Sequence, residues 1–173
     1  IMCAQAIVHG KIDLFDSVEG QLVKTFTVDF KRPSAHTVVL TGTAQWSNDA
    51  SDLQDSLQVY DEMIQEETNL GATDLYLGRK AYAAFRKHKD VRDDLDRNNI
   101  NIGQLSPTIQ SKFKGMWNGL RIWLVTGTYK DISGTVKHYL DPEYALLAAG
   151  DALNVMEFGQ PMDVDCSGPF EIF

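Results

Sequence analysis

Residues 26–97 read FTVDFKRPSAHTVVLTGTAQWSNDASDLQDSLQVYDEMIQEETNLGATDLYLGRKAYAAFRKHKDVRDDLDR, and this stretch decides the fold. Phe26, Val28 and Phe30 alternate with Thr25, Thr27 and Asp29, the period-two pattern of a half-buried strand. After Lys31-Arg32-Pro33-Ser34, residues 35–40 (AHTVVL) return to β-favouring types and predict a second strand that stops at Gly42 and Trp46. Residues 47–52 offer side-chain acceptors to cap a helix starting near Leu53. Leu53, Leu57, Tyr60 and Ile64 then form one apolar stripe on a helix predicted over 50–68, with Asp61, Glu62, Glu66 and Glu67 largely on its solvated face. Asn69-Leu70-Gly71 ends that helix, and Asp74-Leu75-Tyr76-Leu77 reads as a short buried strand. From Gly78 a second helix carries Ala81, Tyr82, Ala84 and Phe85 inward and Arg79, Lys80, Arg86, Lys87 and Lys89 outward, a basic cluster in an acidic chain. Asp93, Asp94 and Asp96 lack the glycine and distant glutamate of a calcium loop, so 91–97 reads as a charged helix end or turn.

Working outward, residues 1–9 read as the end of a helix stopped by Gly10. Residues 11–15 and 22–30 form two extended segments around the turn at 16–20, a hairpin. Downstream, 100–107 connects into a further helix with Ser106 as cap and Pro107 at its first position, which places Ile109 and Phe113 on a buried face. Residues 115–125 predict one strand carrying Trp117, Leu120, Ile122 and Leu124 on one face and Trp123 on the other; both tryptophans read as core or interface anchors. The polar turn with Lys130, Asp131, Ser133 and Gly134 leads into 136–140, a second hairpin. The apolar run 144–149 fits a strand or a helix, and 159–169 reads as an irregular tail.

The segments VDF (28–30), HTVVLTGTAQWSNDASDLQD (36–55), GATDLYLGRKAYAAFRKHKDVRDDLD (71–96) and LDPEYALLAA (140–149), in this order, resemble the phage major capsid protein E family, the lambda-type head protein. The resemblance spans about residues 8–160. It implies an α+β chain with the HK97-like fold shared by tailed-phage capsids: a peripheral hairpin lobe plus an axial domain whose sheet is flanked by helices. On this reading residues 1–40 hold the end of a spine helix and the peripheral hairpin, 41–158 the axial domain, and 159–173 a tail leading back to the peripheral domain. It also implies that 144–149 returns as a strand into the axial sheet. The implied role is a structural subunit of a phage or prophage head, with copies of itself in hexamers and pentamers and a decoration or scaffolding protein as partners. The implied location is the virion, after a stage in the host cytoplasm. The chain starts near the end of the family's spine helix, without its arm and extended loop, so in isolation it is expected to be a monomer or weak oligomer. Arg79, Lys80, Arg86, Lys87, Lys130, Asp131 and Ser133 are the candidate subunit-contact residues.

Composition and motifs bound the alternatives. A net charge of -8 and a pI near 4.9 argue against broad nucleic-acid binding. No apolar run approaches the ~18 residues a bilayer span needs, so no membrane partner is expected. Cys3 and Cys166 form neither a metal spacing nor a disulfide framework and read as free thiols. His9, His36, His88 and His138 are scattered, and G-x-S-x-G, H-E-x-x-H and phosphate-cradling glycine loops do not occur. No cofactor and no catalytic set is predicted. His36 reads as a strand histidine hydrogen-bonded to backbone. The competing readings are a soluble hydrolase-like enzyme with an acidic pocket near His36, and an adaptor that binds an acidic partner through the basic helix at 79–89.

Overall fold

A computed structural model describes residues 2–18, 21–97, 112–131 and 134–150. A first helix, α1 (Met2–His9), stops at Gly10, whose positive φ of 67° and N–H bond to Ala6 O close the last turn. The antiparallel strands β1 (Lys11–Val18) and β2 (Gln21–Asp29) follow; β1 extends past the predicted 11–15, while β2 nearly matches the predicted 22–30. Their register pairs Ile12 with Val28 and Leu14 with Phe26, so the apolar residues share one face of the ribbon. On the other face Asp13 accepts from Lys24 at 2.7 Å and from Thr27 at 2.8 Å. Arg32 ties the ribbon's exit back to α1 through the carbonyls of Ile7 and Val8.

The predicted strand over 35–40 does not form. Ser34–His36 makes one 3₁₀ turn, and the chain then runs irregularly to a second such turn at Gly42–Ala44. Strand propensity reflects packing against neighbouring strands; among the described residues none pairs with 35–40, and Val39 is 81 % exposed. The helix α2 (Leu53–Thr68) starts where Asp52 caps it, its side chain accepting from Asp55 N, and ends at Asn69 in the left-handed conformation.

The main sheet is four-stranded, in the order β4 (Phe113–Trp117), β5 (Leu120–Leu124), β3 (Asp74–Leu77), β8 (Ala145–Ala148). β3 runs parallel to β5; the other pairs are antiparallel. The sequence reading of 115–125 as one strand is thereby corrected. Asn118 and Gly119 both adopt positive φ, 47° and 83°, and fold the segment into a two-residue hairpin. Phe113, expected on a helix, opens β4 and packs its ring 5.1 Å from Trp123. The facing of the tryptophans holds: Trp117 is buried with Ile122, and Trp123 lies on the opposite side beside Tyr76. The run at 144–149 is the strand β8.

One face of β3 and β5 presents Leu75, Leu77 and Ile122 to Leu53, Leu57 and Phe85. Phe85 is fully buried, edge-on to Trp117 at 5.3 Å, in the helix α3 (Arg79–Lys87). Then α4 (Lys89–Arg97), a full helix where a helix end or turn is predicted, adds buried Val91. The short strands β6 (Thr128–Lys130) and β7 (Val136–His138) form the second hairpin as a sheet of their own. The segments predicted at 100–107 with Ile109, at 132–133, and from 151 onward, including Cys166 and the tail, lie outside the described residues.

Candidate subunit-contact surfaces

The basic helix is positioned by backbone. Gly78 N–H donates to Tyr144 O, and the amides of Lys80 and Ala81 both donate to Pro142 O, at 2.8 and 3.0 Å. A Cβ on buried Gly78 would overlap Asp141 O and lie 2.6 Å from Pro142 O, so glycine is required for the helix to start this close to the 141–142 turn. With Ala81 and Phe85 anchoring the inner side, Arg79, Lys80, Arg86 and Lys87 are all exposed. Lys80 bonds Glu143 at 2.8 Å, and this hydrogen bond with Glu143's charge raises its pKa. Among the described residues Arg79, Arg86 and Lys87 have no ionic partner.

Lys130 and Asp131 sit in the β6–β7 hairpin, apart from α3 in the topology, and Ser133 falls outside the described residues. Lys130 is exposed. Asp131 is occupied within its own turn: its carboxylate accepts from Thr135 N at 2.8 Å and pairs with Lys137 at 3.0 Å. The candidates therefore divide into an open basic helix face and a self-satisfied turn.

Two further features escape the sequence reading. The first is Asp74, at the start of β3 and 2 % exposed. Its carboxylate accepts from Arg121 Nε (2.8 Å) and Nη2 (2.6 Å), Trp123 Nε1 (2.7 Å) and Thr73 Oγ1 (2.8 Å). Burial alone would push its pKa up; the bonds from Arg121, Thr73 and Trp123 and the guanidinium charge outweigh that, and the net shift is downward. The register that sets Asp74 opposite Arg121 and Tyr76 opposite Trp123 builds this polar and aromatic patch on the sheet face away from the core. An acid heading an apolar strand was the available signal.

The second is His88, whose side chain is fully buried at the α3–α4 junction. Its Nε2 lies 2.8 Å from Ser51 Oγ and its Nδ1 3.5 Å from Asp90 Oδ2, superficially a serine, histidine and acid in order. The proton pattern runs the wrong way for a nucleophile. Ser51 Oγ–H donates to Asn48 O, so His88 Nε2–H donates to Ser51 while Nδ1 accepts from Asp90 N–H. Asp90 Oδ2 accepts in turn from Leu53 N. A general base must take the hydroxyl proton; this chain of bonds instead latches the turn before α2 onto the start of α4. His36 is not the backbone-bonded strand histidine predicted: it ends a 3₁₀ turn with Nε2 3.3 Å from Glu67 Oε1 on α2. Among the described residues no cluster of three His, Cys, Asp or Glu is placed to hold a metal ion, and no helix is long and apolar enough to cross a membrane.

The mixed four-stranded sheet with its flanking helices has a counterpart among solved structures. A crystal structure of a candidate prophage capsid protein from E. coli CFT073 superposes with a TM-score of 0.55 at 22 % identity, over 84 % of this chain and 42 % of that one. A phage-related protein of Bordetella bronchiseptica RB50 gives a TM-score of 0.49 at 19 % identity, over 82 % of this chain and 38 % of that one. This chain thus spans less than half the length of either protein. No match was found among curated proteins. The chain belongs to the phage major capsid protein E family, whose model matches residues 1–167.

Proposed function

We propose that this chain is part of a structural subunit of a phage or prophage head, which builds an icosahedral shell by repeated self-association into hexamers and pentamers. The observation that carries the reading is the family match over nearly the whole chain, with the fold likeness in support. The subunit acts by geometry: shell proteins bind through modest patches repeated under symmetry. The open basic face of α3, with Arg79, Lys80, Arg86 and Lys87, is a contact surface, and Lys130 and Asp131 in the β6–β7 hairpin belong to a second one, to which Ser133 is assigned from the sequence alone. The finer architecture is the HK97-like one. Residues 1–40 belong to a peripheral lobe, 41–158 to an axial domain and 159–173 to a tail. The separation of the β1–β2 ribbon from the four-stranded sheet supports the first boundary. A decoration or scaffolding protein is a further partner, and the subunit passes from the host cytoplasm into the virion.

Electron microscopy of the complete gene product, expressed alone and with its neighbouring phage genes, tests this. Closed shells of uniform size are expected. Dispersed monomer under every condition would overturn the reading in favour of an adaptor working through the 79–89 helix.

A further inference from the structure

Two exposed helix faces carry the same spacing with opposite charge. On α3, Arg79, Ala83 and Arg86 stand at i, i+4 and i+7 and are all exposed. On α2, Asp55, Val59 and Glu62 stand at the same i, i+4 and i+7, also exposed, with Glu66 one turn further on. In each helix the two charges are about 10 Å apart along the axis, with a small or medium apolar residue between them. Val59 is 41 % exposed. Ala83 is among the residues lining a cleft of about 340 Å³, with Trp46, Asp49, Ala84 and Lys87.

Among the described residues neither face is neutralised. The helix α2 contains five acids and no lysine or arginine, while α3 contains four bases and no acid. Asp61 is used locally, accepting from Ala72 N and Gln65, and Glu67 faces His36. Among the described residues Glu62 accepts only from the neutral amide of Gln58, at 3.3 Å. Among the described residues the carboxylates of Asp55 and Glu66 and the guanidinia of Arg79 and Arg86 have no ionic partner.

We infer that the basic face of α3 docks on the acidic face of α2 of a second copy of this chain, a head-to-tail contact built on the shell-subunit reading above. In that contact Val59 of one copy seats over Ala83 of the next, where the missing side-chain bulk lets the helices approach. The charges on either side then pair, Arg79 and Arg86 with Asp55 and Glu62. The proposed contact is heterologous: each copy offers its basic face to one neighbour and its acidic face to another. Repetition of such a contact closes a ring or grows a chain; it does not stop at a two-fold dimer.

The test is a charge swap in the complete gene product. One variant carries Arg79→Glu and Arg86→Glu; the other carries Asp55→Lys and Glu62→Lys. Circular dichroism and thermal melts check folding, and sedimentation velocity and electron microscopy read assembly. Each variant alone faces like charge with like charge, and its self-association is expected to weaken about tenfold or more. Mixed, each variant supplies the face the other lacks, so the two alternate, and self-association read by sedimentation velocity is expected to return to within about threefold of the parent in chains and even-numbered rings, falling again as salt rises. If folded variants assemble like the parent, or the mixture of folded variants is not rescued, the pairing is wrong while the shell reading stands. A parent that never self-associates would instead overturn the shell reading and this contact with it.

Discussion

Replacing Asp74 by asparagine keeps the shape of the side chain and removes its charge, so it isolates what the carboxylate does beneath the main sheet. Four donors converge on Asp74: two from Arg121 and one each from Trp123 and Thr73, at 2.6–2.8 Å. A hydrogen bond to a charged group is worth about 1.5–3 kcal/mol net, and asparagine turns one acceptor into an N–H₂ that opposes Arg121's own N–H groups. Arg121's side chain is 42 % exposed and can take up water once released, which discounts the ion pair. The expected loss is about 2–4 kcal/mol, or about 5–12 °C in melting temperature for a chain of this size. The pH dependence has a definite sign. Asp74's pKa is lowered below the ordinary 3.8, so its stabilisation is fully present above the unfolded-state value and is lost as pH falls through the folded one. Melts of parent and variant, followed by circular dichroism from pH 7 to pH 3, should therefore show a wide gap at neutral pH that narrows toward the acid end. A variant within about 2 °C of the parent at pH 7, or a gap that stays constant across the series, would refute the argument that an ionised, buried Asp74 holds Arg121 and Trp123 in place.

Gly78→Ala should lower stability by about 1–3 kcal/mol, because the added methyl meets the backbone at Asp141 and Pro142; urea denaturation reads this directly. Phe85→Ala, which empties a site between Trp46 and Trp117, should cost about 3–5 kcal/mol, and tryptophan fluorescence should change with it. Ser51→Ala leaves His88 Nε2–H without its acceptor and should cost about 1–3 kcal/mol. Activated-ester hydrolysis should stay at the buffer rate in parent and variant alike. Val39→Asp alters a side chain 81 % exposed and should change the melting midpoint by less than about 0.5 kcal/mol equivalent.

Elements with strong local signals were legible. The acceptor-rich 47–52 stretch and the Leu53, Leu57, Tyr60 and Ile64 stripe locate α2, because capping and a 3.6-residue period are written in neighbouring residues. The opposite facing of Trp117 and Trp123 came out right, although the two are six positions apart and would share a face in one continuous strand; the two-residue turn at Asn118-Gly119 is what puts them on opposite sides. What failed was long-range. Residues 35–40 have strand composition without a strand partner, and composition cannot say whether a partner exists. The Asn118-Gly119 turn carried a strong short-range hairpin signal, but the apolar run on either side of it dominated the reading. Asp74 and Arg121 lie 47 positions apart and His88 and Ser51 lie 37 apart, so only the fold brings each pair together. Of the candidate contact residues, those on α3 were legible because a basic helix face in an acidic chain is a compositional contrast. Its acidic counterpart on α2 read as an ordinary solvated face, since one helix gives no sign of the other's spacing.

The strength of the proposed α3–α2 contact follows from where its charges sit. Exposed ion pairs contribute about 0.2–1 kcal/mol each, so two or three such pairs with one small apolar contact supply a few kcal/mol before the cost of association is met. A Kd of 1 mM already corresponds to about −4 kcal/mol. A single contact of this kind holds two copies together only weakly. In a closed ring every copy makes the contact twice, once through each helix, and the last copy to join gains two interfaces for one loss of translational freedom. Weak, salt-sensitive pairs then yield a stable ring while a misplaced copy still dissociates. Like-charge juxtaposition disfavours the two-fold dimers that would set α2 on α2 or α3 on α3. Charge placed on two faces of one chain therefore acts more on the geometry of association than on its strength, and the charge-swap mixture is the measurement in which that distinction becomes visible.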